Sequence, residues 1–198
     1  MKHTLLQLFA TNVGIFQLDL NVNKFLSLIK KEKFILTNKK RNDQSYTSVN
    51  NKLLNKEKYK LLKKQINDCF DLYNDRYMQY GCKVLMNNSW VTKTLTSQES
   101  SWHNHSNSLI SGVVYLQDKS SDVEFENFNK PHFSVPLKSH NIHNSQNYRV
   151  TPTAGMVVMF PSLVYHKVTK NISDTRYSIA FNFIPQGKIG NIDNELEL

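Results

Sequence analysis

Cysteine is nearly absent: Cys69 and Cys82 are the only two in 198 residues. That excludes a disulfide framework, and Cys69, on the apolar side of a predicted helix, reads as a buried thiol. No apolar run approaches the roughly 18 residues that a membrane span needs, and the N-terminus lacks a signal-peptide pattern. These absences predict a reduced, cytoplasmic setting without membrane contact. No internal repeat or linker interrupts the chain, so residues 1–198 read as one domain with room for a substantial core. Acidic residues are also in the minority, 16 against 25 Lys and Arg, giving a formal net charge of +9. Residues 30–64 hold twelve of the basic residues against Glu32, Asp43 and Glu57, so this stretch carries the whole excess. Such a segment can track nucleic-acid phosphates. Aromatic residues for base stacking are sparse between 35 and 58, which favours instead a solvated helix face in a Lys- and Asn-rich composition.

What is present falls into two halves. Residues 4–20 suggest an opening strand or pair broken near Gly14. Asn21 or Asn23 can cap a short helix to about Lys31, with Phe25, Leu28 and Ile29 inward. Residues 37–52 are polar and predict a loop. From Leu53 to Tyr80, apolar residues (Leu62, Ile66, Cys69, Phe70, Tyr73, Tyr77, Tyr80) recur at helical spacing, and Gly81 supplies the stop. The tyrosine stripe suits core packing against a sheet better than a ligand box. After Gly81 the pattern turns to strands, expected near 83–94, 108–117, 122–128, 132–136, 147–151, 156–160, 164–169 and 174–184. Eight short strands behind two helices suit a mainly β protein with N-terminal helices, a double-sheet jelly roll of the cupin type. The chain then divides into helices and an opening strand (1–81), a jelly-roll core (82–185) and a tail (186–198).

Within that core, Trp102-His-Asn-His105 precedes the apolar run Leu109–Leu116. In extended backbone, residues i and i+2 face the same side, so His103 and His105 can converge on one point, as two metal ligands must. The competing reading is an ordinary Asn/Ser-rich loop. A second segment, Gly155 to Val168, reads as strand, Pro-Ser turn and strand carrying His166, and ten residues on Arg176 and Ser178 share one strand face.

These blocks carry a resemblance. His103-x-His-x-Asn-Ser-x-x-Ser-Gly-Val-x-Tyr-Leu116, Phe160-Pro-Ser-x-x-x-His166 and Arg176-x-Ser-Ile-x-Phe-Asn182 are similar to the blocks of iron(II)- and 2-oxoglutarate-dependent dioxygenases, in a branch frequent in phage genomes. Leu8–Val13 and Ser89-Trp90-Val91 fit as well. The resemblance implies the double-stranded β-helix (jelly roll) fold. It also implies iron(II) held by His103, His105 and His166, with 2-oxoglutarate as cosubstrate on Arg176, Ser178 and Tyr115. Arginine suits the distal carboxylate because its fork binds bidentately and stays charged when buried. Against a plainer reading, Arg176 has Asp174 nearby for a structural salt bridge.

Most relatives carry Asp where His105 stands. Three neutral imidazoles leave the metal one charge more positive, and cupins complete a His-x-His site with a Glu, for which Glu124 is the candidate here. His3, His132, His140 and His143 lie in polar surroundings and are not assigned. The implied reaction converts 2-oxoglutarate to succinate and carbon dioxide while hydroxylating a C–H bond. A protein side chain, a nucleobase and a small metabolite all remain as substrates. The alternative from another class is a non-catalytic, cupin-like metal- or ligand-binding protein, which has no need for a buried arginine at that spacing.

Overall fold

A computed structural model of the chain describes residues 1–4, 6, 8–37, 45–129, 133 and 135–198. The N-terminal part consists of β1 (Gly14–Gln17), helix α1 (Val22–Ile29), β2 (Phe34–Thr37), β3 (Ser45–Ser48) and helix α2 (Lys60–Tyr73). Asn21 caps α1, its side chain accepting from the Lys24 N–H at 3.0 Å. That bond satisfies one of the four amides a helix start leaves unpaired. The strands that follow are β4 (Lys83–Leu95), β5 (Ile110–Tyr115), β6 (Val123–Glu126), β7 (Asn147–Val150), β8 (Met156–Pro161), β9 (His166–Val168) and β10 (Thr175–Gln186). A small hairpin, β11 (Lys188–Ile189) with β12 (Leu196–Glu197), lies in the segment expected as a tail.

Seven strands form an antiparallel sheet in the order β1-β8-β5-β10-β4-β3-β2, and β7-β6-β9 form a smaller one. Strand alternation gives the large sheet two unlike faces. On one, Val91, Ile110, Val114, Val157, Met159, Ile179, Phe181 and Phe183 pack on Phe25, Ile29, Leu62, Ile66, Phe70 and Tyr73 of the helices. Phe183 stacks on Phe70 with ring centroids 4.2 Å apart. On the other face, Tyr115, Val158 and Phe160 meet Val123, Phe125 and Val150 of the small sheet. The space between the two sheets is the interior of the jelly roll.

Gly112 marks how closely the outer layer packs. A Cβ there would lie 2.4 Å from the Phe181 ring and 2.9 Å from the Val158 carbonyl oxygen. Glycine at this position lets the ring lie directly on the backbone of β5.

Several expectations need correction. Residues 45–48, expected in a loop, are strand β3; residues 38–44 of that loop lie outside the described residues. β3 has little apolar content, and neighbours supply its order: Ser48 Oγ accepts from the Val91 N–H at 3.0 Å, and Tyr46 and Thr47 pair with Lys93 and Thr92. The helix expected from Leu53 starts as two 3₁₀ turns, Leu53–Asn55 and Glu57–Tyr59, and closes as a π turn, Asn74–Met78. Its left-handed end residue is Gln79 (φ 50°), not Gly81. Asn74 explains this, because its carbonyl accepts from Gln79 N–H at 2.7 Å and its side chain accepts from Tyr80 N–H at 3.0 Å. Tyr73 is buried as expected, but Tyr77 is exposed, since the π turn rotates it off the core stripe. Cys69 is only half-buried, though burial still pushes its thiol up to about 11. The strand expected near 132–136 does not form among its described residues, 133, 135 and 136. Gly14 begins β1 rather than breaking it.

Candidate metal and diacid site

His103 and His105 sit in the loop before β5, and main-chain bonds pin that loop onto the β8–β9 turn. His103 and His166 exchange N–H···O=C bonds of 2.9 Å in each direction, and the His105 N–H donates to the Ser162 carbonyl at 2.8 Å. The three imidazoles consequently converge. Their nearest ligand atoms all lie within 4.8 Å of one another, and the His103 and His166 ring centroids are 4.3 Å apart.

Each Nδ1 already has a partner. That of His103 donates to Ser101 O at 2.8 Å, that of His166 to Val164 O at 2.9 Å, and that of His105 to Asn182 Oδ1 at 2.9 Å. Donation from Nδ1 leaves the lone pair on Nε2, which is the atom a metal takes. Burial first, and then the neighbouring His103 and His105, push the His166 pKa down to about 3. Burial likewise lowers His105, and the Asn182 hydrogen bond opposes it in part. Both rings are therefore neutral at pH 7, the form that ligates. His103, His105 and His166 form a group that can hold a metal ion, and an all-nitrogen, three-imidazole set suits several first-row divalent metals, iron, nickel, copper and zinc.

The depressed His166 pKa has a consequence for stability. In the unfolded chain a histidine takes up its proton near pH 6.5; in the folded, metal-free protein His166 does so only near pH 3. Between those values the unfolded state binds more protons, so stability falls as the pH falls, by about 1.4 kcal/mol per pH unit for this one group. Above about pH 6.5 the contribution is flat. Chemical denaturation of metal-free protein at pH 7, 6 and 5 should show stability falling towards that slope, and His166→Phe should reduce the fall, leaving the share of His105, whose pKa burial also lowers.

The second part of the site lies on the inner face of β10. Arg176 is 3% exposed, and its guanidinium carbon lies 5.3 Å from the centre of the Tyr115 ring. Tyr115 pairs with Ser178 across β5 and β10, so Arg176, Ser178 and Tyr115 share this face. Among the described residues Arg176 has no ion pair; the bridge to Asp174 does not form. Its buried Nε has no hydrogen-bond partner either. Burial lowers the Arg176 pKa, with Tyr115 opposing, and burial pushes Tyr115 up to about 12. A buried cation without a counter-ion is costly, and a ligand carboxylate is the group that would match it.

Residues without an expected role support both parts. The Gln117 side chain donates to Thr175 O at 2.8 Å and accepts from Tyr177 N–H at 2.7 Å, clamping the backbone on either side of Arg176. Asn171 anchors the preceding turn, donating to Thr94 O at 3.0 Å. Nothing in a single sequence marks Gln117. Asn182 could have been found by parity, since it lies on the same strand face as Arg176 and Ser178.

Glu124 is not brought to the cluster. It pairs in register with Lys167 and Arg149, whereas its neighbour Phe125 pairs with His166, so Glu124 points to the opposite face of the small sheet. It is 2% exposed there, bonded to Asn147 and paired with Arg149 at 3.1 Å and Lys167 at 3.6 Å. His3, His140 and His143 are exposed, and His132 lies outside the described residues. In the basic segment, Lys56 and Lys58 both pair with Glu32, at 2.6 and 2.7 Å, so part of its charge is answered locally. Among the described residues no helix is long and apolar enough to cross a membrane.

Residues 88–182 match a family model described as "Putative 2OG-Fe(II) oxygenase". No curated protein matches the chain in sequence. Among solved structures, HygX from Streptomyces hygroscopicus, with nickel and 2-oxoglutarate bound, is similar at 12% identity and a TM-score of 0.64, covering 88% of this chain and 83% of its own. The non-heme alpha-ketoglutarate-dependent epimerase SnoN from nogalamycin biosynthesis gives 13%, 0.66, 89% and 80%. A Pseudomonas putida prolyl-4-hydroxylase gives 15%, 0.61, 89% and 94%. At such identities the likeness is one of fold: this chain has the double-stranded β-helix of those proteins.

Proposed function

We propose that the chain is an iron(II)- and 2-oxoglutarate-dependent oxygenase that hydroxylates a substrate C–H bond. One observation carries the reading: three imidazoles, each with its Nδ1 hydrogen-bonded, converge in an interior shared with a buried arginine that has no ion pair among the described residues and an unpartnered Nε. The match of residues 88–182 to the oxygenase family model supports it. His103, His105 and His166 hold the metal, and Arg176 receives the distal carboxylate of 2-oxoglutarate. Ser178 and Tyr115, on the same face, offer hydroxyl groups for which the described residues supply no partner.

Bound iron(II) would supply oxygen activation, with decarboxylation of 2-oxoglutarate to succinate and carbon dioxide coupled to the hydroxylation. The chain's own residues do the rest. The Nδ1 hydrogen bonds fix which nitrogen each ring presents, and the Gln117 clamp holds the strand that aims Arg176. Val158, Phe160 and Phe125 keep the interior dry, which strengthens the charged contact at the arginine. One similar structure, HygX, has hygromycin B bound and another is a prolyl-4-hydroxylase, so a small metabolite and a protein side chain are both candidate substrates, alongside a nucleobase.

The test is an anaerobic iron(II) titration with and without 2-oxoglutarate. A weak visible charge-transfer band that needs both components is the expected result. Iron binding without any 2-oxoglutarate-dependent band would replace this reading with that of a cupin-like metal-binding protein.

A further inference from the structure

Three residues of the sequence blocks have no place in the ligand set: Ser111, Ser162 and Asn182. We infer that they form a positioning relay that fixes the tautomer and ring plane of His105. The inference rests on the metal-site reading above.

Each member is out of solvent, with Ser111 at 0%, Ser162 at 1% and Asn182 at 6% exposure. Ser162 Oγ lies 2.8 Å from Ser111 Oγ, and Ser111 Oγ donates to Asn182 Oδ1 at 2.7 Å. His105 Nδ1 lies 2.9 Å from both Asn182 Oδ1 and Ser111 Oγ. One assignment of protons satisfies these contacts, provided the Nδ1–H is shared between Asn182 Oδ1 and Ser111 Oγ. If Nε2 is to face a metal, Nδ1 must carry the ring's proton and its partner must accept. Asn182 therefore presents its carbonyl oxygen, and Ser111, having given its one proton to that oxygen, must accept from Ser162. The donations run one way, from Ser162 through Ser111 to Asn182, with the imidazole N–H arriving at the same oxygen. Ser162 also holds the ligand from behind, since its carbonyl accepts the His105 main-chain N–H at 2.8 Å.

The relay draws on three strands or turns. Ser111 and Asn182 are cross-strand partners on β5 and β10, and Ser162 follows β8. None of the three groups can turn to water if the chain is broken, so losing one leaves the others buried and unpaired. Among the described residues His103 and His166 have no such side-chain partners on Nδ1, each resting on one main-chain carbonyl within two residues of itself. His105 is thus the imidazole of the three with side-chain support.

The experiment is anaerobic titration of the full chain with iron(II), and separately with cobalt(II) followed by its visible absorption. The proteins are wild type, Ser162→Ala, Asn182→Leu and Asn182→Asp, with unfolding curves of the metal-free forms as the control for folding. Outer hydrogen-bond partners of metal ligands typically contribute about ten- to a hundredfold in affinity. Asn182→Leu should lose that much and shift the cobalt spectrum; Ser162→Ala should lose less. Asn182→Asp keeps an acceptor at the same place and should restore wild-type affinity or exceed it. A role confined to packing would not distinguish Leu from Asp in this way. If Asn182→Leu fails to fold, Ser162→Ala and Asn182→Asp decide the matter. Wild-type affinity and spectrum in folded Asn182→Leu, or in Ser162→Ala should it stand alone, would overturn the relay. Absence of metal binding by wild type would instead overturn the site reading on which it rests.

Discussion

Arg176→Met should abolish 2-oxoglutarate binding while leaving the ligand-free protein more stable than wild type. The two effects have one cause. In the ligand-free fold the guanidinium is 3% exposed, burial lowers its pKa, and its Nε is unpartnered. Replacing an unpaired buried ion by an apolar side chain of similar length removes that penalty; even for buried ion pairs such exchanges are often neutral or stabilising, by up to about 4 kcal/mol. In the liganded state the balance reverses. The diacid's far carboxylate would be left buried against methionine, at a cost of about 3–5 kcal/mol, or on the order of a hundred- to several-thousandfold in affinity. Arg176→Lys keeps the charge and loses the fork, so it should recover only part of the affinity. Denaturation of the ligand-free forms and calorimetric titration of the metal-loaded forms read the two quantities. Unchanged 2-oxoglutarate affinity in folded, metal-loaded Arg176→Met would remove the cosubstrate assignment.

His166→Ala should lose bound iron(II) altogether at micromolar protein. Structural zinc sites are worth about 10–16 kcal/mol over four ligands, so on that scale one ligand represents about 2.5–4 kcal/mol, roughly seventy- to a thousandfold in affinity. His166 is also the residue that main-chain bonds tie to His103. Its ring packs on Phe160 at 4.6 Å between centroids, so its loss opens a gap between the sheets as well as in the ligand set. Metal content of the purified variant, alongside wild type and Glu124→Ala, gives the answer. Stoichiometric iron in His166→Ala would refute the site, whereas loss of iron in a folded Glu124→Ala would mean that the buried carboxylate reaches the metal after all.

How far the sequence could be read follows from what kind of signal each element carries. The strands of the jelly roll are legible because their apolar residues answer to burial on one or both faces, and β4, β8 and β10 fall within a residue or two of where the pattern puts them. β3 is not legible, since Ser45-Tyr-Thr-Ser48 lies toward the sheet's edge and draws its order from pairing with β4. The left-handed position at Gln79 carries no glycine to announce it, because Asn74 closes the turn from a distance of five residues. In the site, the two histidines spaced by one residue, His166 and Arg176 stand out by residue type. Asn182, Ser111 and Ser162 do not, because a buried serine or asparagine looks like any other until the three are seen to touch. Gln117 is further hidden, its work being to complete a strand ladder beyond the end of β5.

The seat of Arg176 between the sheets also bears on how the proposed enzyme would handle its own product. Arg176, seated on the Tyr115 ring, would take the end of 2-oxoglutarate that the proposed reaction leaves untouched. Succinate keeps that same end. The arginine would therefore have no means of telling spent cosubstrate from fresh, and discrimination would have to come from the opposite end, at the histidines.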